Sequence, residues 1–170
     1  ETKLYKVVKL TPNNMPAILL LGAIHDIKGN YEQANELLSR YVAKMPLHLE
    51  ARKLLASVRI KLNRQSEALG VLTAIDPVNY DTRTTDAIGR LALNSGDLGN
   101  GIRQLKRVVT QSPDNVRLRN ALAIAYIKSG HYDLAIKEIS GMSGDARNKA
   151  AYTLIEAFLA KGEYQKAEDE

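Results

Sequence analysis

The chain of 170 residues has no cysteine and no tryptophan, a single phenylalanine and only five prolines. Without cysteine it forms no disulfide, no thiolate metal site and no cysteine nucleophile, and that absence suits reducing and oxidising compartments equally. One Phe against eight Tyr argues against a base-stacking surface for nucleic acid. Long apolar runs are missing as well. The longest, Met15 to Ile24, is interrupted by Pro16 and Gly22 and falls short of the roughly 18–20 residues that a bilayer-spanning helix needs. The sequence shows no charged-then-apolar segment with a small-residue cleavage site.

Reactive constellations are equally scarce. The three histidines, His25, His48 and His131, form no HExxH or i,i+4 pair. His25 occupies a column suited to a core-edge residue, and His131 falls in a turn exposed to water. Gly96-Asp-Leu-Gly99-Asn-Gly101 superficially resembles a phosphate loop, but a helical segment precedes it where a strand is required. No GxSxG occurs, and the carboxylates are scattered. The expectation is no catalytic residue, no cofactor and no metal.

What is present is an ordinary globular composition, 45% hydrophobic and 25% charged, with a net charge of +5. This mild basicity permits acidic partners without selecting among them. The organising feature is a repeat. Gly29, Asn63, Gly96, Gly130 and Gly162 recur at intervals of 34, 33, 34 and 32 residues. Five residues after each stands Ala34, Ala68, Gly101, Ala135 or Ala167, and seven before each stands Gly22, Ala56, Gly89, Ala123 or Ile155. Immediately ahead of the latter come Leu21, Leu55, Ile88, Leu122 and Leu154.

The physics of these columns is direct. Ile18, Leu21, Ile24 and Ile27 lie at helical spacing, and Gly29 follows where a helix ends in a left-handed residue. Tyr31, Ala34, Leu37, Leu38, Tyr41 and Val42 form a second helical stripe, closed by Pro46. Asn14 and Asn115 follow prolines at positions able to cap the next helix. Each unit reads as helix, tight turn, helix, short loop. The small columns, Gly22 facing Ala34 for example, allow close helix approach, and neighbouring units must stack to bury their apolar faces.

This pattern resembles the tetratricopeptide repeat. The match is closest in Leu21-Gly22, Gly29-Asn30-Tyr31, Ala34, Leu38 and Pro46, and again in Leu122-Ala123, Tyr126, Gly130-His131-Tyr132 and Ala135. The third unit departs, with Leu98 for tyrosine and Gly101 for alanine. Pro77 comes early, and Gly141 and Gly144 stand where proline is expected, departures that would bend or shorten local loops. The resemblance implies an all-α, right-handed superhelical solenoid of antiparallel helix pairs spanning 1–170. Residues 1–12 would end a preceding repeat, 13–46, 47–79, 80–113 and 114–145 would be full repeats, and 146–170 an incomplete fifth. The chain would then be a piece of a longer protein. The phrases at 17–23, 29–34, 54–56 and 67–69 also resemble bacterial tetratricopeptide lipoproteins of the PEP-CTERM and exopolysaccharide systems, which implies the cell envelope, the cytoplasm remaining open.

The resemblance implies a function as well: a non-catalytic protein-interaction scaffold whose first helices line a concave groove. Its groove positions run from apolar (Pro16, Leu19, Ala23) to mixed and basic. Lys53, Arg83, Asp86, Arg90, Arg117, Asn120 and Tyr152 are the candidate partner-binding residues. They suit a protein or peptide partner, an acidic one in particular, bound by charge-assisted hydrogen bonds. Salt bridging of the cations to Asp86 and Glu50 is the competing outcome. Leu19 and Ala23 stand where a chaperone-type carboxylate clamp needs Lys and Asn. Arg103, Lys106 and Arg107 read as solvated charge on a second helix. No nucleic acid and no direct membrane insertion by this segment are expected. Two alternatives remain: a structural spacer or homo-oligomerisation module, and repeats that regulate an enzyme domain elsewhere. On this reading, charge reversal at Arg83 and Arg117 weakens the partner complex and lowers its salt sensitivity, as binding titrations at two ionic strengths would measure.

Overall fold

The structure, a computed structural model, describes residues 2–169. Among them are eleven α-helices and no strand. They are α1 (Thr2–Leu10), α2 (Met15–Ile27), α3 (Tyr31–Lys44), α4 (Leu49–Lys61) and α5 (Gln65–Thr73), then α6 (Thr82–Asn94), α7 (Leu98–Gln111), α8 (Val116–Lys128), α9 (Tyr132–Ser140), α10 (Asp145–Lys161) and α11 (Tyr164–Glu168). A 3-10 turn, Pro77–Asn79, separates α5 from α6. The chain divides into two compact units, 1–75 and 76–170.

The recurring turn residues do what their spacing predicts. Gly29, Asn63, Gly96, Gly130 and Gly162 all adopt left-handed backbone, with φ between 59° and 84°. Asn63 is the non-glycine member, and asparagine tolerates this region better than other side chains. The residue after the turn then bonds back across it. Asn30 N–H donates to His25 O, Arg64 N–H to Arg59 O, His131 N–H to Tyr126 O and Glu163 N–H to Phe158 O, at 2.8–2.9 Å. These bonds satisfy carbonyls that the helix end leaves without partners.

Helix starts are equally local. Asn14 accepts from Ala17 N–H at 3.0 Å and Asn115 from Leu118 N–H at 3.2 Å. Asp81 and Asp97 act likewise for α6 and α7, at 2.7 and 2.9 Å. At α4 the cap is a histidine: His48 Nδ1 accepts from Ala51 N–H at 3.1 Å, and its ring meets Tyr41 edge-on.

Each unit has its own core. Ile18, Leu21, Leu38, Leu55, Val58 and Leu69 are fully buried in the first, and Ile88, Leu105, Leu118, Leu122, Ile139 and Leu154 in the second. Burying one such side chain stabilises the fold by roughly 1.5–3 kcal/mol. His25 lies deeper than a core-edge position: it is buried, with its ring 3.3 Å from the Asn30 amide nitrogen. His131 is exposed and meets Ser129 Oγ at 2.8 Å. The phenol of Tyr80, behind the 3-10 turn, is raised to about 12 by burial, with Asp76 adding to the shift and Arg107 opposing it.

Two expectations about packing need correction. The space left by Gly22 is taken by Leu38 rather than by Ala34; a Cβ there would lie 2.9 Å from Leu38 Cγ. The departures at Pro77 and Gly141 shorten helices rather than loops. Second helices α3 and α7 have 14 residues, whereas α5 and α9 have 9. In both short hairpins an arginine from the preceding helix reaches the terminating one. Arg52 donates to Val71 O at 3.1 Å, and Arg119 to Glu138 O at 2.6 Å. Each guanidinium satisfies a carbonyl that a longer helix would have bonded internally.

Gly101 fills a column otherwise held by alanine because α6 and α7 are closest there. A Cβ at Gly101 would sit 2.2 Å from the Ala92 carbonyl oxygen. Restoring the repeat's usual alanine with Gly101→Ala will therefore destabilise the protein, by about 1–3 kcal/mol of overpacking. Gly70→Ala, at an exposed helical site with nothing within 4 Å of a Cβ, will stabilise it by about 0.5–1 kcal/mol. Urea denaturation of both variants checks the opposite signs.

Candidate functional site

In the second unit, α6 and α8 present a cavity of about 540 Å³. Small residues make it. Gly89 and Ala121 meet on its floor, where a Cβ on Gly89 would lie 3.2 Å from Ala121 Cβ. Leu93 and Ile124 supply apolar wall, and Asp86, Arg90, Arg117, Asn120 and Lys128 supply the polar groups. Because α6 and α8 are regular helices rising about 1.5 Å per residue, the eleven steps from Arg117 to Lys128 spread these groups over roughly 16 Å. That length matches four or five residues of extended peptide at about 3.3 Å each.

The charges are not equivalent. Arg117 Nη1 donates to both carboxylate oxygens of Asp86 at 2.7 Å. Both side chains are more than half exposed, at 58% and 56%, so the pair is worth at most about 1 kcal/mol. The side chains of Arg90 and Lys128 have no ion-pair or hydrogen-bond partner among the described residues. Asn120 Oδ1 is buried and accepts no hydrogen bond. Three cations against one carboxylate leave the cavity at 3 − 1 = +2.

Four of the seven residues anticipated for the groove therefore line one cavity: Asp86, Arg90, Arg117 and Asn120. Arg83 is exposed in the first turn of α6 outside that lining, and Tyr152 projects from α10, 87% exposed. Lys53 belongs to the first unit, where Glu50 pairs with it at 3.3 Å. The competing salt bridges to Asp86 and Glu50 thus both form. Arg103, Lys106 and Arg107 are exposed on α7.

The first unit has a cavity of different chemistry. Pro16, Leu19, Leu20 and Ala23 of α2 and Ala51 and Leu54 of α4 enclose about 370 Å³ of almost entirely apolar space, with His48 and Glu50 also in the lining. The outer face of α2 continues this surface, with Leu20 52% and Ile27 85% exposed. Nearby charges are paired internally: Lys61 with Asp26 at 2.6 Å, and Lys53 with Glu50. Among the described residues no cluster of three or more His, Asp or Glu side chains is placed to hold a metal ion, and no helix is long and apolar enough to cross a membrane.

The tetratricopeptide-repeat family signature matches residues 27–87 and 92–154, 61 and 63 residues and so more than half of the chain. The chain belongs to the tetratricopeptide-repeat family. Solved structures share the fold at low identity. YrrB, a tetratricopeptide-repeat protein described as having an unusual peptide-binding site, is 12% identical with a TM-score of 0.60, over 96% of this chain and 86% of its own. Nearly identical TPR-like repeats from Podosopora anserina are 19% identical at 0.53, over 93% and 92%. MamA from Desulfovibrio magneticus is 19% identical at 0.50, over 81% and 78%. A search of curated protein sequences gives no significant match.

In this tetratricopeptide array, reading the groove by position missed Lys128, Asn94 and the floor residues Gly89 and Ala121. Lys128 is one turn beyond Ile124, and that i,i+4 step was the available signal. Asn120 and Gln65 each carry a buried side-chain oxygen with no donor among the described residues, and Asn120 is the one in the cavity. A buried acceptor without a donor costs about 1–3 kcal/mol. Asn120→Leu will therefore leave the free protein at least as stable in thermal denaturation, by up to about 1 kcal/mol. If the melting temperature falls instead, the orphaned oxygen is not a cost to the fold.

Proposed function

We propose that this chain is a non-catalytic interaction module that holds an extended, acidic peptide segment against α6 and α8. The observation that carries the reading is the conjunction of unpaired Arg90 and Lys128 with the unsatisfied Asn120 oxygen over an apolar floor. A carboxylate on the peptide meets Arg90 or Lys128 through charge-assisted hydrogen bonds. A turn of the Asn120 side chain presents its buried oxygen to a backbone N–H of the peptide, and an aliphatic side chain lies between Leu93 and Ile124. Peptide binding by YrrB, a protein of the same fold, supports the class of ligand. The role assigned to Arg117 changes in consequence: its guanidinium is engaged by Asp86 in the free protein, so Arg90 and Lys128 carry the recognition. Arg83 and Tyr152 lie outside this core of the site.

A second reading is favoured by the apolar cavity of the first unit: a surface for self-association, making the repeats a structural or oligomerising element. Light scattering of the parent protein and Leu20→Glu distinguishes it, since a concentration-dependent dimer that the substitution abolishes supports assembly through α2. The setting we propose is a larger bacterial envelope-associated protein, on the resemblance of the stretches at 17–23, 29–34, 54–56 and 67–69 to envelope lipoproteins. Recovery of the native protein in the cytosolic fraction of its cells would overturn that setting.

The peptide reading is tested by fluorescence anisotropy with a labelled peptide carrying one glutamate beside a leucine. Arg90→Glu and Lys128→Glu are each expected to weaken binding at low salt about fivefold or more, and to flatten its salt dependence. Parent-like affinity in both variants, with helicity intact, would reject the site.

A further inference from the structure

We infer that Asp86 is an internal competitor that occupies Arg117 and thereby withholds that end of the cavity from a ligand carboxylate. The inference rests on the peptide-binding reading above. Its basis is the asymmetry of the cations. One guanidinium nitrogen of Arg117 holds both oxygens of Asp86 at 2.7 Å, a charge-assisted contact of the kind an incoming carboxylate would compete for. Asp86 therefore stands in for a ligand carboxylate at the end of the cavity formed by the first turns of α6 and α8. Arg90 follows one turn later on α6, and Lys128 closes the far end from α8; neither has such a partner.

Two consequences follow from charge alone. A peptide with one acidic residue finds its counter-charge at Arg90 or Lys128 without disturbing Asp86. A peptide with a second acidic residue at the Arg117 end must displace Asp86 and then sit beside it. Like charges a few ångströms apart repel, and Arg117 is the one ion-pair partner Asp86 has among the described residues. The pair is exposed enough to open, so Asp86 masks Arg117 without blocking it permanently, and a second acidic group gains little affinity there.

The test uses two synthetic peptides of equal length. One carries a single glutamate beside a leucine; the other adds a second glutamate four residues away, about 13 Å in an extended chain. Affinities are measured by anisotropy competition at low ionic strength for the parent, Asp86→Asn, and Asp86→Asn combined with Arg117→Gln. The parent is expected to bind the two peptides within about twofold of each other. Asp86→Asn, close to isosteric, is expected to favour the two-glutamate peptide by about fivefold or more, and adding Arg117→Gln to erase that preference.

An unchanged ratio in Asp86→Asn while the parent binds the one-glutamate peptide overturns the inference and leaves the peptide reading standing. A preference that survives Arg117→Gln overturns it too, since the second glutamate would then be read elsewhere. Failure of the parent to bind either peptide rejects the peptide reading itself. Circular dichroism of each variant establishes that binding changes are not losses of fold.

Discussion

Every helix pair in this protein depends on one backbone constraint, a single left-handed residue after the first helix. With φ between 59° and 84° at five successive turns, the chain reverses within two or three residues. A reversal that short keeps the second helix against the first, and the small residues nearby decide how closely the two approach. Where the approach is tightest, at Gly101 against Ala92, not even a methyl group fits. Local geometry thus sets which faces are left over, and the leftover face of α6 and α8 is the candidate site. The cavity there follows from the same economy of side-chain volume, because Gly89 and Ala121 permit close packing below while Leu93 and Ile124 rise beside them.

The site is assembled from charges whose meaning depends on their neighbours. Arg90, Arg117 and Lys128 have the same formal charge, yet only Arg117 is neutralised, by Asp86. The first unit shows the opposite outcome: near its cavity Lys61 and Lys53 are paired with Asp26 and Glu50, and what remains open is apolar surface. Two units built on one repeat therefore present different chemistry, because a handful of positions on the first helices differ while the columns that make the hairpins do not.

That division also explains what was legible in the sequence. The turn glycines, the asparagine that replaces one of them, the caps at Asn14 and Asn115 and the core leucines act over five residues or fewer, so spacing alone reveals them. The candidate site was half legible. Helical position placed Asp86, Arg90, Arg117 and Asn120 on one face, but which cation is engaged depends on contacts 31 residues apart. Position also placed Arg83 and Tyr152 on the groove face, and they share its register without lining the cavity. The shortened second helices read as altered loops in the sequence, and the arginine that satisfies each exposed carbonyl stands 19 residues earlier in a different helix, beyond the reach of local spacing. His48 was considered only as a metal ligand, whereas its place directly before α4 makes it a cap.

The arginines at 52 and 119 are 67 residues apart, and the second helices run 14, 9, 14 and 9 residues in order from α3 to α9. The array therefore counts in twos. Removing or inserting one hairpin would set neighbours of equal length in sequence and break the rhythm of stapled and unstapled ends. Exchange of two hairpins together would preserve it, so the natural module for lengthening, shortening or recombining this protein is the four-helix pair.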